Sequence, residues 1–157
     1  MIEVKQYIAA VTTDSLTLDS IILSNIALLL GRVNTLLDLF LKECPSVQIV
    51  MTSGLRDAAH NIAVGGAPNS KHLTGEAIDI ADQSRLMALW CLRNYQDLVH
   101  TGLWCEDPRS TPNWMHFQTL APHSRKRFFI PNAQWIDKLA GELLTPHTIL
   151  LHASKPS

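Results

Sequence analysis

Ser70-Lys-His-Leu-Thr-Gly-Glu-Ala-Ile-Asp-Ile80 joins a polar loop to a short apolar strand. Ala77 to Ile80 has the length and composition of a buried strand, while Gly65-Gly66, Pro68, Asn69 and Ser70 make residues 57 to 71 a long loop. Long ordered loops in compact domains are often functional. Downstream, Asp82 can cap a helix from about Gln83 to Val99 with Leu86, Leu89, Trp90 and Leu92 on its apolar face. Thr101–Glu106 and Trp114–Thr119 read as a hairpin with a long Pro-containing loop, and Phe128–Ile130 as a last strand before Pro131. Upstream, Val47–Met51 reads as a buried strand ending at the Ser53-Gly54 turn. The expected fold class is α+β, a small antiparallel sheet with helices packed around it.

The N-terminal part is helical. Leu29, Val33, Leu36, Leu37 and Phe40 recur on one helical face, Lys42 suits the negative end of the helix dipole, and Pro45 stops the helix, which is expected over residues 23 to 43. Asp19, Asn25, Arg32, Asn34 and Asp38 interrupt it too often for a bilayer span, so it reads as a core helix. Asp14 or Ser15 can cap a short helix over Thr13–Leu18, and Ala133–Leu144 reads as a terminal amphipathic helix built on Trp135, Ile136, Leu139 and Leu143.

Composition narrows the classes of function. The 157 residues fit one domain, and 46% hydrophobic against 17% charged residues excludes a disordered chain. A formal charge of -1 provides no global field for phosphate backbones, so nucleic acid is not an expected partner. Three unpaired-looking cysteines, Cys44, Cys91 and Cys105, read as free thiols in a reducing compartment. The N-terminus has no basic region followed by an apolar run, so a cytoplasmic product without a secretion signal is expected.

The chemistry lies in the quoted stretch. A carboxylate at the centre of an apolar strand needs a partner, so Asp79 sits at a sheet edge, in a salt bridge, or on a cation. His72 precedes it on the loop, and His116 lies in the strand-like Trp114-Met-His-Phe-Gln118. Two imidazoles and a carboxylate with an open fourth position are what a catalytic zinc site uses, whereas a closed structural site would use cysteine. Gly75 either permits close backbone approach or is a plain turn glycine.

Ser70-x-His72-x-x-Gly75-x-Ala77-x-Asp79 followed by Trp114-x-His116 resembles the zinc D-Ala-D-Ala carboxypeptidases and phage L-alanyl-D-glutamate endopeptidases, relatives of the hedgehog N-terminal domain. Thr52-Ser-Gly-Leu-Arg56 is similar to their Ser-Gly-Tyr-Arg element, with Leu55 in place of Tyr, and the resemblance covers about residues 48 to 119. Leu103–Pro108 through His116 is most similar to the small phage and prophage members.

The resemblance implies a single zinc metallopeptidase domain with His72, Asp79 and His116 as ligands, acting on peptidoglycan stem peptides at a D-Ala-D-Ala, L-Ala-D-Glu or cross-bridge bond. It implies an endolysin or virion-associated wall hydrolase, a monomer without stable membrane insertion, released to the wall by a phage lysis system or carried in the virion. Arg56 would hold the substrate, gripping a carboxylate or stabilising charge on the scissile carbonyl; its plainer reading is a salt bridge with Asp57 or Glu76. Ser70 either bonds substrate backbone or fixes the loop, and Gln118 or a backbone carbonyl can orient a ligand imidazole.

One departure matters. The family's general base is a Glu three residues before the last zinc His, and Asn113 stands there. Glu106 is the favoured substitute, with Asp107 and His100 in reserve; otherwise Glu106 is a solvated strand end. Loss of the base would leave an inactive zinc-containing peptidoglycan-binding module or a structural phage protein. Trp104 and Trp114 are candidates for the cleft wall, Trp90 and Trp135 for the core. His60, His123, His147 and His152 are assigned no metal, and His123-Ser-Arg-Lys-Arg127 reads as a solvated basic loop or a contact for anionic wall polymer.

Overall fold

The computed structural model describes residues 1–9 and 18–130. The expected helix at Ala133–Leu144 and all but the last residue of that at Thr13–Leu18 lie outside this range. A short helix α1, Val4–Ile8, precedes the long α2, Ser20–Glu43, which Asp19 caps by accepting a hydrogen bond from the Ile22 N–H at 2.8 Å. One face of α2, with Leu29, Val33, Leu36, Leu37 and Phe40, is buried in the core as its periodicity predicts. By length and apolarity alone α2 also suffices to cross a membrane, which its interspersed polar residues had argued against.

The sheet comprises β1 (Met51–Ser53), β2 (Ala77–Ala81), β3 (Trp104–Glu106), β4 (Trp114–Gln118) and β5 (Phe128–Phe129), in the order β1-β2-β4-β3-β5. It is α+β but mixed rather than purely antiparallel, because β5 returns parallel to β3. The expected hairpin forms, with Trp104 opposite Gln118 and Cys105 opposite Phe117. The first strand is displaced from Val47–Met51 to Met51–Ser53. Val47, Ile49 and Met51 still alternate onto the core, but of the residues before Met51 only Val50 bonds β2's end, accepting from the Ala81 N–H at 2.8 Å. Alternation alone therefore marked an extended segment longer than its ladder.

Two further expectations are corrected. The loop over residues 57 to 71 contains a helix, α3 (Ala58–Ala63), whose cap Asp57 accepts from the His60 N–H at 2.7 Å. The helix expected over residues 83 to 99 is two helices, α4 (Leu86–Arg93) and α5 (Tyr95–His100), broken where Asn94 leaves helical geometry at ψ 44°. Asp82 does cap α4, but from farther upstream: its carboxylate accepts from the N–H groups of Met87 and Ala88 while Arg85 turns the chain at φ 62°. The buried Arg85 guanidinium donates to the carbonyls of Thr111 and Pro108, tying the β3–β4 connection to the start of α4. Cys91 and Cys105 are buried free thiols whose pKa burial pushes up, as expected of core cysteines.

Candidate metal centre and cleft

Asp79 on β2 and His116 on β4 are directly opposite in the antiparallel register, so their side chains leave the same face of the sheet. His72 reaches them from the turn before β2. One potential ligand atom from each residue lies within 4.8 Å of the other two, and all three residues are buried. His116 Nδ1 is 2.8 Å from Asp79 Oδ1, and His72 Nε2 is 3.3 Å from Asp79 Oδ2.

Hydrogen bonds fix which nitrogen of each ring faces inward. His72 Nδ1 lies 2.7 Å from the Gly54 carbonyl oxygen, which can only accept, so Nδ1 carries the proton and Nε2 presents a lone pair. That Nε2 is buried with no hydrogen-bond partner among the described residues. An orphaned buried acceptor is costly unless something else fills the position, and a cation held with Asp79 and His116 would do so. Gln118 donates from its amide nitrogen to the Leu120 carbonyl at 2.6 Å, which turns its oxygen toward His116 Nε2 at 3.4 Å. The donor set of two imidazoles and one carboxylate, each steadied by an outer partner, fits a catalytic metal ion.

Charge supports the same geometry. Burial alone would raise the Asp79 carboxyl, but the His116 hydrogen bond and the closeness of both imidazole rings hold it well below the usual carboxylate range. Burial alone would lower His116, yet the bond to Asp79 and the charges of Glu106 and Asp79 carry it above the ordinary value. Arg56 Nη2 donates to Asp79 Oδ2 at 2.8 Å, so its ion pair is with Asp79 and not with the Asp57 or Glu76 considered above.

A family model for Peptidase M15 matches residues 6–102, well over half of the chain. The chain belongs to the Peptidase M15 family. No curated protein and no solved structure matches it. The matched segment contains Arg56, His72 and Asp79 and ends before Glu106 and His116; the β2–β4 pairing sets His116 beside Asp79, and Glu106 lines the same cleft.

The His72, Asp79 and His116 group opens into a cleft of about 740 Å³. Arg56, Ser70, Glu106, Trp114 and Gln118 line it beside His72, Asp79 and His116. Of the three candidate bases, only Glu106 reaches this cleft. Asp107 is buried and bound by Arg109 through Nη2 at 2.7 Å and Nε at 3.0 Å, and His100 is exposed at the end of α5; neither lines the cleft. Glu106 is not a solvated strand end: burial raises its carboxyl, His116 partly offsets this, and Asp79 adds to it. Asn113 is exposed and outside the cleft, with its carbonyl accepting from the Asp82 N–H.

Trp114 walls the cleft but Trp104 does not; the Arg127 guanidinium covers the Trp104 ring at 3.9 Å. Trp90 is core. Ser70 is at the rim, where its hydroxyl accepts weakly from the His72 N–H at 3.4 Å. His123 also lines the cleft, so the basic loop flanks it rather than lying apart. Sequence reasoning missed Tyr7, whose hydroxyl donates to the Ala77 carbonyl at 2.6 Å and whose own carbonyl accepts from Leu55 N–H. It also missed Gly54 as the carbonyl that holds His72; the Ser53-Gly54 turn signal was its only trace.

Proposed function

We propose that this M15 metallopeptidase is a zinc-dependent hydrolase of peptide bonds in peptidoglycan stem peptides, acting as a D-Ala-D-Ala carboxypeptidase or an endolysin-type endopeptidase. The observation that carries the proposal is the convergence of one potential ligand atom each from His72, Asp79 and His116 within 4.8 Å at a cleft that also holds Glu106. His72, Asp79 and His116 would hold the zinc ion, which when bound polarises a carbonyl and lowers the pKa of water.

Glu106 takes a proton from the attacking water as its oxygen bonds to the scissile carbonyl carbon, and returns it to the amide nitrogen as the C–N bond breaks. The products are a carboxylic acid and an amine, which exchange a proton to leave a carboxylate and an ammonium. Arg56 already donates through Nε to Ser53 and through Nη2 to Asp79, which leaves Nη1 for a substrate oxygen. Ser70 at the rim is placed to bond substrate backbone. Trp114 provides an apolar wall, and Lys71 adds a positive charge to the lining suited to the carboxylates of a stem peptide.

In this reading the protein is made in the cytoplasm and works as a monomer on the wall, without nucleic acid or stable membrane insertion, after release by a phage lysis system or from a virion. Digestion of purified peptidoglycan followed by mass spectrometry of the muropeptides, with and without chelator, tests it. New termini that vanish with chelator and return with zinc are expected. Intact muropeptides from zinc-loaded protein would instead favour an inactive binding or structural protein, the consequence of losing a base at Asn113.

A further inference from the structure

We infer that Arg56 is a positioning residue for the metal centre, aiming the Asp79 carboxylate and thereby setting the site's affinity for its ion. The inference rests on the proposed metal-binding role of Asp79. Arg56 Nη2 donates to Asp79 Oδ2 at 2.8 Å, and Nε donates to Ser53 Oγ at the same 2.8 Å. Ser53 is the register partner of Asp79 across β1 and β2, next to an irregularity in the ladder. The guanidinium therefore spans the two strands at the level of the ligand.

The same segment also steadies a second ligand. The Arg56 N–H donates to the His72 carbonyl at 3.1 Å, and the Gly54 carbonyl accepts from His72 Nδ1 at 2.7 Å. Ser53, Gly54 and Arg56 thus brace Asp79 and His72 together, whereas His116 is held from the far side by Gln118. Two effects of Arg56 on a bound cation oppose each other. Its positive charge repels the ion, while its fork fixes the carboxylate rotamer and neutralises the charge of a buried Asp79. The ordering effect wins here because the fork is itself pinned at Ser53 and holds the one rotamer that sets Asp79 Oδ1 2.8 Å from His116 Nδ1 and Oδ2 3.3 Å from His72 Nε2.

The test is zinc competition against a chromophoric chelator, using the parent, Arg56→Gln, Arg56→Lys and His72→Ala, with circular dichroism to check folding. Zinc binding by the parent that His72→Ala abolishes establishes the site; a parent that binds no zinc sinks the metal reading itself. Given that site, Arg56→Gln is expected to bind zinc about 10- to 100-fold more weakly, the range for losing an outer hydrogen-bond partner. Arg56→Lys keeps the charge but an ammonium cannot bridge Ser53 and Asp79, so a loss of about tenfold is expected. If Arg56→Gln fails to fold, Arg56→Lys decides. Zinc affinity in the folded variants that is unchanged within about twofold, or tighter, overturns the inference and leaves Arg56 to act on substrate alone.

Discussion

Glu106 carries the proton transfers in the proposed reaction, and among the described residues its carboxylate is the one lining the cleft outside the His72, Asp79 and His116 group. Glu106→Gln preserves size and hydrogen bonding but cannot accept the proton, so kcat on a muropeptide substrate should fall about 10²- to 10⁴-fold. Zinc affinity should stay at the parent value, which separates a lost base from a lost ligand. Asp107→Asn is the companion: Asp107 serves Arg109 outside the cleft, so kcat should hold even if the melting temperature drops. Equal loss of kcat in both variants would refute the assignment of the base. The grouping of His72, Asp79 and His116 was legible because an aspartate inside an apolar strand demands a partner and the motif's resemblance to the family points to the two histidines. Gly54 and Tyr7 were not, since Gly54 acts through its carbonyl and the backbone of Tyr7 is half of its contribution, and every residue carries the same backbone. Trp104 misled because composition cannot tell which aromatic residue a neighbouring arginine will cover.

The elements that aim the ligands are joined by tight turns, and the one between His72 and β2 depends on Gly75. Gly75 has φ +72°, and a Cβ there would lie 2.8 Å from Ile26 Cγ1 on α2. Gly75→Ala should therefore cost about 1–3 kcal/mol from left-handed strain and overpacking, read as a lower midpoint in urea unfolding. Zinc affinity should fall as well, because His72 enters the site through that turn. An unchanged midpoint would show that α2 does not press on the turn. At the head of α4, Asp82→Ala removes the acceptor for two backbone N–H groups and should cost about 0.5–2 kcal/mol, measured the same way. Its cap role was legible, whereas the helix start was not: side-chain reach let Asp82 serve N–H groups beyond the left-handed Arg85. The break at Asn94 was hidden because apolar spacing continues from Trp90 to Leu98 across it, and α3 was hidden because breakers downstream dominated the reading of its segment.

Across the whole molecule, the core and the metal centre share a sheet but use different side chains. Leu29, Val33, Phe40, Trp90, Leu98 and Phe117 are buried in the core, which spans α1, α2, β2, α4, α5, β3 and β4 and includes none of His72, Asp79 and His116. The fold class was legible because helical and strand periodicities are local; the parallel β3–β5 pairing was not, because it joins short segments whose order in the sheet is set by long-range contacts. The separation of core from site predicts how the protein responds to chelation. Each ligand sits on an element already fixed by packing or backbone hydrogen bonds, so the ion adds binding energy to a formed scaffold. At a free zinc concentration about 100 times Kd, linkage gives about 2.7 kcal/mol of added stability. For a chain of this size, about 2–4 °C in melting temperature accompanies each kcal/mol, so chelation should lower the melting temperature by about 5–11 °C. Hydrolysis should disappear while the far-UV circular dichroism spectrum persists. Collapse of the spectrum on chelation at 25 °C would mean that the ion holds the fold together, and the site would then be structural.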